Sequence, residues 1–149
     1  MSLLPSLALG EWTYEASVDQ FDGAQVHSIS VGSEVGTLQA VLTLRCDEGK
    51  APLFVFQTDE VIKSDAQGIA QMQLSVDSKE ITGMLASGWV RSDQYQGAYT
   101  YAVKPVLRKL EGGEVLRIRA RGVLTTFESA FNIAGLVDAL EPIQEHCKL

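Results

Sequence analysis

Residues 38–47, LQAVLTLRCD, decide how the chain folds. Leu38, Ala40, Leu42, Leu44 and Cys46 alternate with Gln39, Val41, Thr43 and Arg45, and a period of two puts the first set on the buried face of a β-strand. Cys46 is therefore expected to point inward. The same period returns in QMQLSVDS (71–78), where Met72, Leu74 and Val76 oppose Gln71, Gln73, Ser75 and Asp77, with Gly68 before it and Asp77-Ser78 after it as turn material. LFVF (53–56) is a short apolar run suited to a strand covered on both faces. Weaker strand signals cover Trp12–Val18, Val26–Val31, Ile81–Val90, Tyr95–Val103, Glu114–Arg121 and Thr125–Ile133. Short strands at fairly regular spacing predict a mainly β chain, an antiparallel β-sandwich or barrel-like domain over residues 11–149.

Helix is the minority. KPVLRKLEGG (104–113) predicts a short helix near 105–111, with Pro105 at its first position, Val106, Leu107 and Leu110 on one face, and Gly112-Gly113 as the stop. A C-terminal helix is predicted from Leu136, Leu140, Ile143 and Cys147, one stripe at spacings of four, three and four, with Asp138 and Glu141 near its positive end. Pro142 lacks the amide hydrogen that a helix interior uses and crowds Asp138, so a kink or two short turns meeting near Glu141 are expected.

At 149 residues the chain fits one domain with an independent core, and 46% hydrophobic with 21% charged residues is an ordinary globular composition. Twelve basic against 19 acidic residues give a net charge of -7, which opposes binding to nucleic acid or to an anionic membrane. No apolar run approaches the roughly 20 residues that cross a bilayer, so no membrane span is predicted. Residues 1–10, MSLLPSLALG, read as a signal remnant or a flexible leader: Leu3–Leu9 is mostly apolar and Ala8-Leu9-Gly10 has small-x-small spacing, but no basic stretch precedes them.

The two cysteines lie far apart in sequence. With Cys46 on the inner face of a strand and Cys147 on the inner face of the last helix, they meet when that helix packs on the sheet, and a disulfide between them is predicted. Two unrelated buried thiols are the plainer alternative. A zinc site from Cys46, Cys147, His27 and His146 has the residue types but no close pair to nucleate it. A disulfide would imply an oxidising compartment.

Trp12 followed by SVDQFDG (17–23), AVLTLRC (40–46), MQLSVDS (72–78), LRKLEGGEVLRIRARG (107–122) and FNIAGLVDALEPIQEHC (131–147) occur in an order that resembles the periplasmic accessory proteins associated with bacterial type VI secretion, the VasI/TagO-like family. The resemblance spans residues 11–147 and is closest at the end of the chain. It departs in the middle, where LFVFQTDEV (53–61) stands in place of the family's Trp-Gly and GWVRSDQYQGAYTY (88–101) has no clear counterpart. It implies an exported, non-enzymatic β domain associated with an envelope-spanning machine, and only Cys46 and Cys147 carry over as positions.

The residues offer no catalytic motif. His27, in an alternating strand, and His146, beside Cys147, read as structural. Asp19 and Asp22 have the types for acid–base or calcium duty, but DQFDG (19–23) is a turn sequence. EGGEV (111–115) lacks the lysine and spacing of a phosphate loop, and no cofactor is predicted.

Two surface features remain. Arg117, Arg119 and Arg121 fall on one strand face about 7 Å apart, a row that can grip carboxylates or phosphates, or a solvated face whose arginines pair with acidic neighbours. Tyr95, Tyr99 and Tyr101 share a face around Gly97, as a platform for sugar rings or a protein, or as core packing with hydroxyls at the rim. The reading is an exported, periplasmic or secreted interaction domain that meets a protein partner or envelope component. The alternative is a small-ligand or sugar-binding module or an enzyme inhibitor of the bacterial envelope, which a deep apolar pocket would mark.

Overall fold

The computed structural model describes residues 11–34, 37–58, 69–91, 94–121 and 126–149, with the backbone alone for 69–70, 84–91 and 94–95. The leader lies outside the described residues. Among the described residues nine strands form: β1 (Thr13–Val18), β2 (Gln25–Gly32), β3 (Ala40–Asp47), β4 (Leu53–Thr58), β5 (Ile69–Val76), β6 (Ile81–Arg91), β7 (Gln94–Thr100), β8 (Val115–Arg121) and β9 (Thr126–Asn132). Two helices accompany them, α1 (Val103–Leu110) and α2 (Leu136–Cys147). The predicted class is the observed one, mainly β and antiparallel.

The strands hydrogen-bond in the order β1-β2-β3-β4-β7-β6-β5-β8-β9, every neighbour antiparallel. This continuous succession folds over on itself, so that Phe56 of β4 meets Phe131 of β9 edge to face with ring centroids 6.2 Å apart. The result is sandwich-like and is not closed by a ladder. Its two ends approach through other contacts: the segment after β2 donates from Glu34 N to Ala130 O (2.7 Å) and from Leu38 N to Glu128 O (3.2 Å), and Trp12 Nε1 donates to Ile133 O (3.4 Å). Covering the outer edge of β9 this way removes a free strand edge.

Period-two patterning explains the core. Ala40, Leu42, Leu44 and Cys46 of β3, Met72 and Leu74 of β5, and Leu116, Ile118 and Ala120 of β8 are all buried, while Arg45, Arg117 and Arg121 on the alternate faces are not. Phe54, Val55 and Phe56 are buried on both faces of β4, as the unbroken apolar run predicts. The joint between the two halves, β4 against β7, depends on Gly97. Its φ is +155°, and a Cβ there would collide with the Phe56 carbonyl.

The larger differences from the sequence reading lie at the end of β7 and in the two helices. β7 ends at Thr100 rather than Val103, because Thr100 Oγ1 accepts from Ala102 N (3.1 Å) and the chain reverses, freeing Val103 to start α1. Val103, Val106, Leu107 and Leu110 then form one complete apolar stripe, and Pro105 occupies the third helical position, still in the turn that has no use for its missing N–H. The C-terminal segment is one twelve-residue helix with Pro142 inside it, not two short turns. Pro142 and Asp138 lie on the exposed side, where water can satisfy the carbonyl that proline leaves unpaired, while Leu136, Leu140, Ile143 and Cys147 are buried.

Candidate functional site

α2 packs on β1, β2 and β3 at one end of the sheet and brings the cysteines together. Cys46 and Cys147 form a disulfide, their Cα atoms 5.5 Å apart across 101 residues of sequence. Both are buried, as their two inward stripes require.

A polar column stands beside this bond. β-Ladder register sets His27 opposite Cys46, and His146 precedes Cys147 on α2, so the disulfide carries the two imidazoles into contact. They stack nearly parallel, with centroids 3.9 Å apart at 10°. Tyr14 continues the column from β1, its hydroxyl sharing a 2.8 Å hydrogen bond with His27 Nδ1, while His27 Nε2 lies 3.4 Å from Gln25 Oε1. All four zinc-type residues are thus neighbours, but the sulfurs are joined to each other and both ring nitrogens of His27 face neutral side-chain partners. The arrangement clamps α2 to the sheet. The sequence groups the histidines only as residue types for zinc and otherwise reads each as structural; the strand register that sets His27 opposite Cys46 is what joins them.

The candidate surface residues separate into different places. Arg117, Arg119 and Arg121 point outward from β8 as predicted, between β5 and β9. Their directly opposed neighbours are Ser75, Gln73 and Gln71 on one side and Ala130, Glu128 and Thr126 on the other. Among the described residues, Arg119 is the one of the three that meets an acid: its Nε donates to Glu128 Oε2 at 3.3 Å, and its Nη1 to Gln73 Oε1 at 3.3 Å. Among the described residues, the Arg117 and Arg121 side chains make no hydrogen bond or ion pair. Arg117 and Arg119 border a shallow depression of about 220 Å³ with Lys79 and the exposed Ile81.

Two of the three tyrosines meet. Tyr99 is half-buried on β7, Tyr101 lies beyond the strand and is 61% exposed, and the two rings meet edge to face at 5.7 Å. The Tyr95 side chain lies outside the described residues.

Carboxylates are engaged locally. Asp19 Oδ1 accepts from Phe21 N (2.7 Å) and Asp22 Oδ1 from Ala24 N (2.8 Å), so this pair builds the turn. Asp47 accepts from Arg45 Nε (2.6 Å) and Nη2 (2.9 Å), and that bidentate bond holds its carboxyl below the usual range and raises the guanidinium. Asp77 accepts from Val115 N (2.9 Å) and Glu114 N (3.1 Å), and these backbone donors lower its pKa as well.

Inside the sandwich an apolar void of about 20 Å³, edged by Leu42, Phe56, Met72 and Ile118, has room for about one water molecule. It falls far short of the roughly 300 Å³ at which small-molecule pockets begin. No helix among the described residues is long and apolar enough to cross a membrane. No family model, curated protein or solved structure matches the chain.

Proposed function

We infer that the chain is an exported, non-enzymatic interaction domain that engages an acidic protein partner through the outer face of β5, β8 and β9. The single observation that carries this reading is the charge balance of that face. Of the six cross-strand neighbours flanking the three arginines only Glu128 is acidic, so two guanidiniums stand uncompensated on a chain of net charge -7. With no opposite charge across the strand, these two side chains are open to an acidic group from outside. Planar donors at about 7 Å intervals suit carboxylates on an extended partner segment, and the neighbouring depression with Lys79 and Ile81 adds a further cation and apolar contact.

The disulfide is compatible with an oxidising, exported location. A periplasmic setting, and an accessory role beside a type VI secretion machine, rest on the family resemblance of the sequence. The test is a photo-crosslinking residue placed at Thr126, beside Arg121, in the native cell. A discrete adduct with an acidic protein supports the reading. Adducts unchanged when all three arginines become serine would contradict it.

A further inference from the structure

A second positive surface lies away from the arginine strip, at the end of the sheet that holds the disulfide. The turn between β3 and β4, the junction between β7 and α1, and the end of α2 enclose an open cleft of about 620 Å³. Each wall contributes one exposed lysine: Lys50 from the turn, Lys104 from the first turn of α1, and Lys148 from the residue that caps α2. His146 and the exposed ring of Tyr101 complete the polar lining.

The positive charge of this cleft is only partly compensated. Asp47 is the acidic side chain on its wall among the described residues, and Arg45 already holds that carboxylate with two hydrogen bonds. None of the three lysines has a salt bridge or side-chain hydrogen bond among the described residues. Even with a carboxylate at Leu149, the lining keeps a surplus of positive charge. The first turn of α1 faces the same cleft with no acidic residue and no side-chain cap, so its positive end adds to the field. Three lysines around one concavity raise its positive potential, which an anion seated there would relieve. The volume falls within the roughly 300–1,000 Å³ range of small-molecule sites.

We propose that this cleft binds a small organic molecule bearing two or more oxyanion charges, held by Lys50, Lys104 and Lys148, with the Tyr101 ring against its carbon body. The site is independent of the arginine strip, and its failure would leave that reading intact. Lysine ammoniums act as point charges that suit phosphate and carboxylate alike.

The experiment follows backbone amide shifts of the whole chain while inorganic pyrophosphate or tricarballylate is titrated at low ionic strength. Saturable shifts at residues 47–52, 101–105 and 146–149 are expected, and the tighter of the two probes identifies the ligand as a phosphate or a carboxylate. A Lys50→Gln, Lys104→Gln, Lys148→Gln variant should retain the parent's dispersed spectrum and bind at least about tenfold more weakly. Arg108→Gln with Lys109→Gln, at the far end of α1, should leave affinity within about twofold. No saturation with either probe, shifts centred elsewhere, or equal loss in both variants would overturn the proposal.

Discussion

Reducing the Cys46–Cys147 bond, with no change of sequence, isolates the contribution of the tether that holds α2. The bond spans 101 residues of sequence, and closing a loop of that size removes unfolded-state entropy worth about 4.7 kcal/mol in the chain-entropy picture, with measured disulfides typically giving about 2–4 kcal/mol. The folded state should survive reduction, because Leu136, Leu140 and Ile143 remain buried against the sheet and each is worth about 1.5–3 kcal/mol when fully covered. Urea unfolding of oxidised and reduced protein, followed by circular dichroism, should therefore give similar native spectra. The reduced midpoint should be lower by about 1–2 M, taking a slope of about 2 kcal/mol per M. That slope should rise on reduction, since the untethered chain exposes more surface. A loss below about 1 kcal/mol would refute the reasoning, as it would mean that the bond does not restrict the unfolded chain.

Other perturbations test single joints of the structure. Gly97→Ala should cost at least about 2 kcal/mol, from the clash with the Phe56 carbonyl and the positive φ, measured as a denaturant midpoint shift. Asp77→Asn keeps a residue that tolerates the positive φ of 52° but removes the charge that accepts from Glu114 and Val115. Because the folded pKa of Asp77 is lowered, its stabilisation is present above the ordinary carboxylate range and is lost as pH falls through the lowered value. The variant should therefore be less stable than the parent at neutral pH and converge with it in strong acid, as thermal melts across that window would reveal. His146→Ala removes the stack on His27 and should cost about 0.5–1.5 kcal/mol by chemical denaturation.

Strand positions were legible wherever one face is buried, because the chain must then alternate. β3, β5 and β8 display that period, and β4 declares itself by lacking it. The meeting of Cys46 with Cys147 followed from two inward stripes. The end of β7 was not legible, since Val103 is apolar and continues the strand pattern even though its side chain belongs to the stripe of α1. At Pro142 the helix does not divide into two short turns, because Pro142 and Asp138 lie on the exposed side, where water can take the place of the missing donor. Strand order was hidden too: β4 pairs with β7 rather than with the next strand in sequence, and nothing local to either strand encodes that choice. The cationic cleft gathers Lys50, Lys104 and Lys148 from three distant segments, so no window of sequence contains it.

The measurement that bears most directly on the proposed function is the salt dependence of affinity for the crosslinked partner, compared between the parent and Arg117→Ser, Arg119→Ser, Arg121→Ser. Exposed pairs such as Arg119–Glu128 are worth about 0–1 kcal/mol, so the variant should melt close to the parent. At low salt it should bind at least about tenfold more weakly, and its affinity should respond less to added salt. Equal affinity of parent and variant at low salt would contradict the account and would move the interface to another face, with Tyr99 and Tyr101 the next residues to replace.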